Sequence, residues 1–351
     1  MFNHFYFGRL KMLRRILGAS LRTLPIACTA VAALAVASNA DAQIVTPYTA
    51  DADTLFLYSF DEAAGGGVAA NEGTAGFNAV GFSNPYAGDN TDQPVNTSLL
   101  GATGFTGFGN AATIGAGNGF GVDVDGSGGF RATDGSAAVN TTARPDDLLQ
   151  SDVLGGGSFT VEALVNLSSL NAQQEIIATD SFFTGAQGGN ASRGFQFRIN
   201  NANNLEFQYI GAGAIVPVLS GDLTTLGGGN ALVTGEWFHA AAVFDGTNTE
   251  LFFTRVDSGA TLANSVAIGA DFVDFTDLGP LTIGNEARTL NNATTTTNQF
   301  SEPLLGSIDE VRISSVARGS NEFIFSAVPE PSSLVLLGLG GIVGLARRRR
   351  S

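Results

Sequence analysis

Asp123, Asp125 and Asp134 have a spacing at which carboxylates can gather around a hard cation. Asp123 and Asp125 would project from one strand face ahead of the Gly126-Ser127-Gly128 turn, and Asp134 stands twelfth counted from Asp123. Oxygen ligands so placed suit Ca2+. The twelfth residue of such loops is usually the longer Glu, no flanking helices are evident, and a strand entering a glycine-rich turn has the same letters. Paired acids come nearest at Asp309-Glu310. Neighbouring strand residues point to opposite faces, so these two are not expected to flank one bond together, whereas Glu310 and Arg312 share a face and are expected to form a structural ion pair. His239 sits in the apolar run Trp237 to Phe244. It reads as a packed, hydrogen-bonded histidine and Trp237 as core rather than a sugar-stacking platform. One cysteine (Cys28) and two histidines leave no residues for Cys–His metal clusters.

The elements that would position these groups belong to a 351-residue chain, 44% hydrophobic and 14% charged, with 46 glycines. That composition suits a sizeable core with many tight turns. The net charge of −15 conceals an asymmetry: basic residues crowd both ends, and the body between them keeps eight arginines and no lysine against 30 acids. Such a surface repels phosphate backbones, which argues against a nucleic acid partner and favours hydrated cations.

From about 43 to 327 the periodicity is that of strands. In Phe159 to Leu167 every odd position is apolar. Phe195, Phe197 and Ile199 alternate with polar residues, and beyond an Asn201–Asn204 turn Leu205, Phe207 and Tyr209 repeat the pattern, predicting a hairpin. Trp237 to Phe244 is apolar on both faces except for His239, as a central strand would be. Further strands are predicted at 55–60, 121–125, 281–283 and 307–313. No window of helical length keeps a 3.6-residue period, so an all-β antiparallel sandwich is expected. The Gly-, Asn- and Thr-rich stretch 84–119 breaks this rhythm and is expected to be a long loop or an added hairpin; 290–299 reads as another loop.

The two ends read as addresses. A basic stretch to Arg22 runs into the apolar segment Leu24–Val36 and then Ala40-Asp41-Ala42, so residues 1–42 are expected to be a signal peptide cut after Ala42. Cys28 would leave with it, and the mature chain could form no disulfide. At the other end Val328-Pro329-Glu330-Pro331 precedes an apolar run, Leu334 to Ala346, and the arginines Arg347, Arg348, Arg349 and Arg350. The guanidinium groups resist translocation while the apolar run pauses in the bilayer as a hydrophobic helix, which holds the motif at the outer face. Two prolines around Glu330 keep the motif extended and open to a processing enzyme. This order over 328–351 resembles the PEP-CTERM sorting signal of Gram-negative bacteria. The resemblance implies an exosortase-type membrane transpeptidase as partner, transient membrane anchoring, and delivery to the cell surface or extracellular matrix.

Within the body, Leu57-Tyr58-Ser59-Phe60-Asp61-Glu62, Ser158 to Ala163, Gly235-Glu236-Trp237-Phe238-His239 with Ala240 to Asp245, and Gly306 to Ile313 follow one another like the strands of LamG-like, concanavalin A-like jelly rolls. The sequence departs from that pattern at Leu164, where Trp is usual, and at Phe238, where the first His of a Trp-His-His pattern is usual. The resemblance implies a jelly-roll β-sandwich and a Ca2+ somewhere on a loop rim, without naming its ligands. Glucanases of this fold class cut glycans with acids spaced Glu-x-Asp-x-x-Glu, and that spacing is absent here. The expected function is therefore binding rather than catalysis: a surface or matrix protein recognising a polysaccharide or protein ligand, with a purely structural matrix component as the alternative and a glycan hydrolase or lyase as a third reading.

Overall fold

The computed structural model describes residues 43–44, 47–82, 97–114, 128–133, 147–179, 181–183, 191–211, 214–226, 231–256, 261–267, 275, 278–285 and 302–326. In chain order the strands are β1 (Gln43–Ile44), β2 (Thr54–Tyr58), β3 (Val68–Ala69), β4 (Asn78–Phe82), β5 (Leu100–Thr103), β6 (Asn110–Ile114) and β7 (Gly129–Thr133). Then come β8 (Asp147–Leu149), the short helix α1 (Gln150–Leu154), β9 (Phe159–Leu167), β10 (Gln174–Ala178), β11 (Ser181–Phe183), β12 (Ala191–Ile199), β13 (Asn204–Gly211) and β14 (Ala214–Asp222). The last are β15 (Trp237–Phe244), β16 (Asn248–Arg255), β17 (Thr261–Ala267), β18 (Leu278–Pro280), β19 (Thr282–Ile283), β20 (Gly306–Ser314) and β21 (Phe325–Ser326).

Two large antiparallel sheets result. One runs β14-β13-β12-β10-β19-β7-β4-β3, with β11 beside β12; the other runs β17-β16-β15-β9-β20-β6-β5, with β2 beside β20. The alternation read from the sequence sets their inner faces. Phe159, Val161, Ala163, Val165 and Leu167 point inward from β9, and Phe195, Phe197, Ile199, Leu205, Phe207 and Tyr209 from the β12–β13 hairpin. Rings bridge the layers: Phe159 lies 5.6 Å from Phe207 and Phe60 lies 5.0 Å from Phe130. Each such ring contributes about 2–3 kcal/mol by leaving water, so the sandwich is held by its centre. The stretch 84–119 contains the antiparallel pair β5–β6, which extends the second sheet beyond β20.

The outer face of that second sheet carries its own apolar cluster: Leu164, Ala241, Val243, Phe252, Phe323 and Ile324, with Tyr48 and Trp237 against it. It is covered by the two ends of the body. There His239 is fully buried, its Nε2 3.0 Å from Glu162 Oε2, and Arg312 Nε donates to Glu162 Oε1 at 2.7 Å. Tyr48 Oη donates to Glu162 Oε2 and lies 3.0 Å from His239 Nε2. The Arg312 guanidinium carbon stands 3.6 Å over the Tyr48 ring. Burial alone would raise the Glu162 carboxyl, but Arg312 and the bonds from His239 and Tyr48 outweigh it and hold it below its usual value.

This geometry corrects two expectations about β20. Arg312 pairs with Glu162 on the neighbouring strand, not with Glu310. Asp309 and Glu310 also do not diverge. Glu310 has φ 49° and the register slips between Asp309 and Arg312, a bulge that leaves Ile308 and Val311 inward and puts both acids on the outer side.

Candidate functional site

The bulge creates the first chemically unusual place. Asp309 is fully buried; its Oδ1 accepts from the Glu310 amide at 2.8 Å, while its Oδ2 has no hydrogen-bond partner. Glu310 Oε2 accepts from the Tyr48 amide at 2.9 Å and its Oε1 is likewise unpartnered. The turn between β5 and β6 closes on these oxygens. A side-chain carbon added at Gly104 would lie 2.8 Å from Asp309 Oδ2, 2.9 Å from the Asn110 carbonyl oxygen and 3.0 Å from that of Gly109. One added at Gly109, where φ is +82°, would overlap Asp61 Oδ1, which itself accepts from the Asn110 amide at 2.9 Å. Only glycine lets the main chain come so close. Burial, then the charges of Glu310 and Asp61, push the Asp309 carboxyl up to about 9. Burial chiefly, helped by Asp61 and Glu72, lifts Glu310 to about 7.

Carboxylate and main-chain carbonyl oxygens are the donors a hard cation takes; here Asp309 and the Asn110 and Gly109 carbonyls crowd Gly104, while Asp61 crowds Gly109. Among the described residues no three His, Cys, Asp or Glu side chains form a metal set, so such an ion would depend on the carbonyl oxygens.

The second place is the outer face of the first sheet, where register lines polar residues into rungs. One rung reads Pro217, Gln208, Gln196, Ala178, Thr282, Arg131, Val80; the other reads Leu219, Glu206, Arg198, Glu175. Gln208 donates to Gln196. Arg198 donates to Glu302 at 2.6 Å and to Glu206 at 3.1 Å. Burial opposes the Arg198 charge, yet Glu175, Glu302 and Glu206 together raise its pKa. Planar amide, guanidinium and carboxylate groups held at strand spacing form a rigid array of donors and acceptors, and most of it is buried: Gln196, Glu175 and Thr282 are at most 1% exposed, and Gln208, Glu206, Arg131 and Arg198 between 5% and 8%.

The sandwich matches the family model of the concanavalin A-like lectin/glucanases over residues 134–322, more than half of the chain. The chain belongs to the concanavalin A-like lectin/glucanase superfamily. A second family model, the PEP-CTERM protein-sorting motif, matches residues 327–350 of this superfamily member and marks it for export and sorting to the cell surface. Among solved structures it is similar to domain 4 of AbnA, an extracellular GH43 arabinanase from Geobacillus stearothermophilus, at 17% identity and TM-score 0.41, covering 78% of this chain and 97% of that one. It is also similar to the CBM40 of the Ruminococcus gnavus IT-sialidase, at 15% identity and TM-score 0.39 over 61% of this chain and 94% of that one. No curated protein matches the sequence.

Asp123, Asp125 and Asp134 lie outside the described residues, as do Ala40, Ala42, the motif Val328 to Pro331 and Arg347 to Arg350. His239 and Trp237 fall where the apolar run placed them, His239 hydrogen-bonded inside and Trp237 half-buried on the second cluster. The acids brought together, Asp61 and Asp309, stand in segments whose jelly-roll likeness was legible, yet neither was singled out as a ligand. The available signal was an acid directly after an inward-facing apolar residue in each, Phe60-Asp61 and Ile308-Asp309.

Proposed function

We propose that this chain is an exported surface or matrix protein, processed by an exosortase-type transpeptidase after transient anchoring through its C-terminal segment, whose jelly roll binds carbohydrate with the aid of Ca2+. The observation that carries the binding reading is the pair of polar rungs on the first sheet in a chain of the lectin/glucanase superfamily. Asp61 and Asp309, with the carbonyls of Gly109 and Asn110, would hold the ion, whose charge would neutralise the buried acids and pin the β5–β6 turn against β20. Catalysis fits the rungs less well: Glu206 and Glu302 are both engaged by one arginine, Arg198, and both are buried.

A glycan array probed with the exported protein in Ca2+ and in a chelator tests this. Calcium-strengthened binding to a restricted set of polysaccharides is expected, and Gln208→Leu should weaken it at least tenfold while leaving the melting temperature within a few degrees. An array without any bound glycan in either condition would sink the reading and favour a purely structural matrix component.

A further inference from the structure

The outer face of the second sheet is not covered along its whole length. Register brings Trp237 of β15, Asn166 of β9, Ser307 of β20 and Thr113 of β6 into one row across four adjacent strands. Their chain neighbours Phe238, Val165, Ile308 and Ala112 fill the interior of the sandwich, so the row itself faces outward. The clasp of Phe323, Ile324 and Tyr48 closes the apolar cluster built on Leu164, Ala241 and Phe252. In this row, by contrast, Thr113 is exposed and Trp237, Asn166 and Ser307 are only half-buried.

Local bonds hold the row in place. Thr113 Oγ1 lies 3.3 Å from Ser307 Oγ, Asn166 Nδ2 donates to the Gly235 carbonyl at 3.2 Å, and the Val256 amide donates to the Trp237 carbonyl at 3.0 Å. An indole, an amide and two hydroxyls thus follow one another at the strand spacing of about 4.8 Å, a row about 14 Å long. The apolar C–H face of a sugar ring rests on an indole, and its hydroxyls exchange hydrogen bonds with amide and hydroxyl groups.

Charge then selects among glycans. Of the arginines whose side chains are described, Arg131, Arg198, Arg312 and Arg318 are at most 8% exposed, and Arg255 is paired at 3.3 Å with Glu236, the residue before Trp237. The body has no lysine, while Asp61 and Glu72 are exposed carboxylates. A uronate, sialate or phosphate would meet negative charge here without a guanidinium to receive it. We propose that this row is a second glycan-contacting place, selective for neutral polysaccharide, on the face opposite the polar rungs of the first sheet. One domain can then engage a separate chain on each face. The inference rests on the carbohydrate-binding reading above and adds to it a surface that can be tested separately.

Trp237 is the single tryptophan of the chain, so its fluorescence reports on this row alone. The exported protein is titrated with neutral oligosaccharides of arabinan, xylan, glucan and mannan and, separately, with alginate as the anionic probe, while emission and quenching by acrylamide are recorded. At least one neutral oligosaccharide should move the emission to the blue and protect it from acrylamide in a saturable way, and alginate should do neither. Thr113→Glu, at an exposed position, should keep the wild-type melting temperature and raise the apparent Kd of this response about tenfold or more, because the ligand would bury a charge. Gln208→Leu, on the opposite face, should leave the response unchanged. A neutral glycan that binds with the emission unmoved and is lost in Gln208→Leu would overturn the row and leave the first-sheet reading standing. A wild-type response in Thr113→Glu, or a response to alginate, would also overturn it, and a protein that binds no glycan at all would end both readings.

Discussion

Replacing Asp309 by Asn keeps its shape and removes its capacity to ionise, which makes it the sharpest probe of the acid cluster. In the folded chain burial and the neighbouring Glu310 and Asp61 push this carboxyl from 3.8 to about 9. A carboxyl raised on folding contributes stability that is whole below its unfolded value near 4 and is lost as pH rises toward 9. Between pH 4 and pH 7 that is roughly three units at about 1.4 kcal/mol each, a ceiling of about 4 kcal/mol. Relaxation of the surroundings reduces it to about 2 kcal/mol. The amide cannot ionise: its oxygen keeps the bond from the Glu310 amide, and its NH2 brings donors to the side where Asp309 Oδ2 now has no partner. In chelator at pH 7, Asp309→Asn should melt about 4–8 °C above the wild type, and the two should converge near pH 4. Millimolar Ca2+ should reverse the order by raising the wild type and leaving the variant where it was. Scanning calorimetry of the exported protein at pH 4.5, 6 and 8 reads all of this. A variant less stable than the wild type in chelator at pH 7, together with a wild type indifferent to Ca2+, would refute the argument.

Two further substitutions separate the site from its scaffold. Gly109→Ala puts a methyl group on Asp61 Oδ1 and should abolish the Ca2+-induced rise in melting temperature, whereas Gly107→Ala, with φ +94° but open space around it, should lose about 1 kcal/mol to backbone strain and keep the Ca2+ response; equal responses would count against Asp61 as a ligand. Beneath the clasp, Glu162→Gln should cost about 3–5 kcal/mol in urea unfolding because it leaves Arg312 buried without its counter-charge, and adding Arg312→Met should recover part of that loss. Single-variant losses below about 1 kcal/mol would show the network to be solvated.

Much of the sandwich is legible along the chain because burial on one face imposes a two-residue period wherever a strand is half covered. Phe159 to Leu167 and the hairpin around Asn201–Asn204 appear in the structure with the faces their alternation dictates. The same rule misread β20. Alternation assumes an unbroken pleat, and the left-handed conformation of Glu310, which no pattern of polar and apolar letters announces, moved two acids to one side and gave Arg312 a partner on another strand. The coverage of His239 was also invisible, because its partners Tyr48 and Phe323 sit in short end segments without strand rhythm.

By itself the sequence determined the strand-and-turn rhythm, the acidic body between basic ends, and the sorting signal, all of which are local properties of composition and order. The tertiary structure alone decided which acids meet. Asp61 and Asp309 are far apart along the chain, and they converge because β2 and β6 both lie against β20 and the glycines of the β5–β6 turn let the main chain approach within contact distance of both carboxylates. Convergence of that kind is a property of sheet order, which depends on long-range pairing that no local window contains.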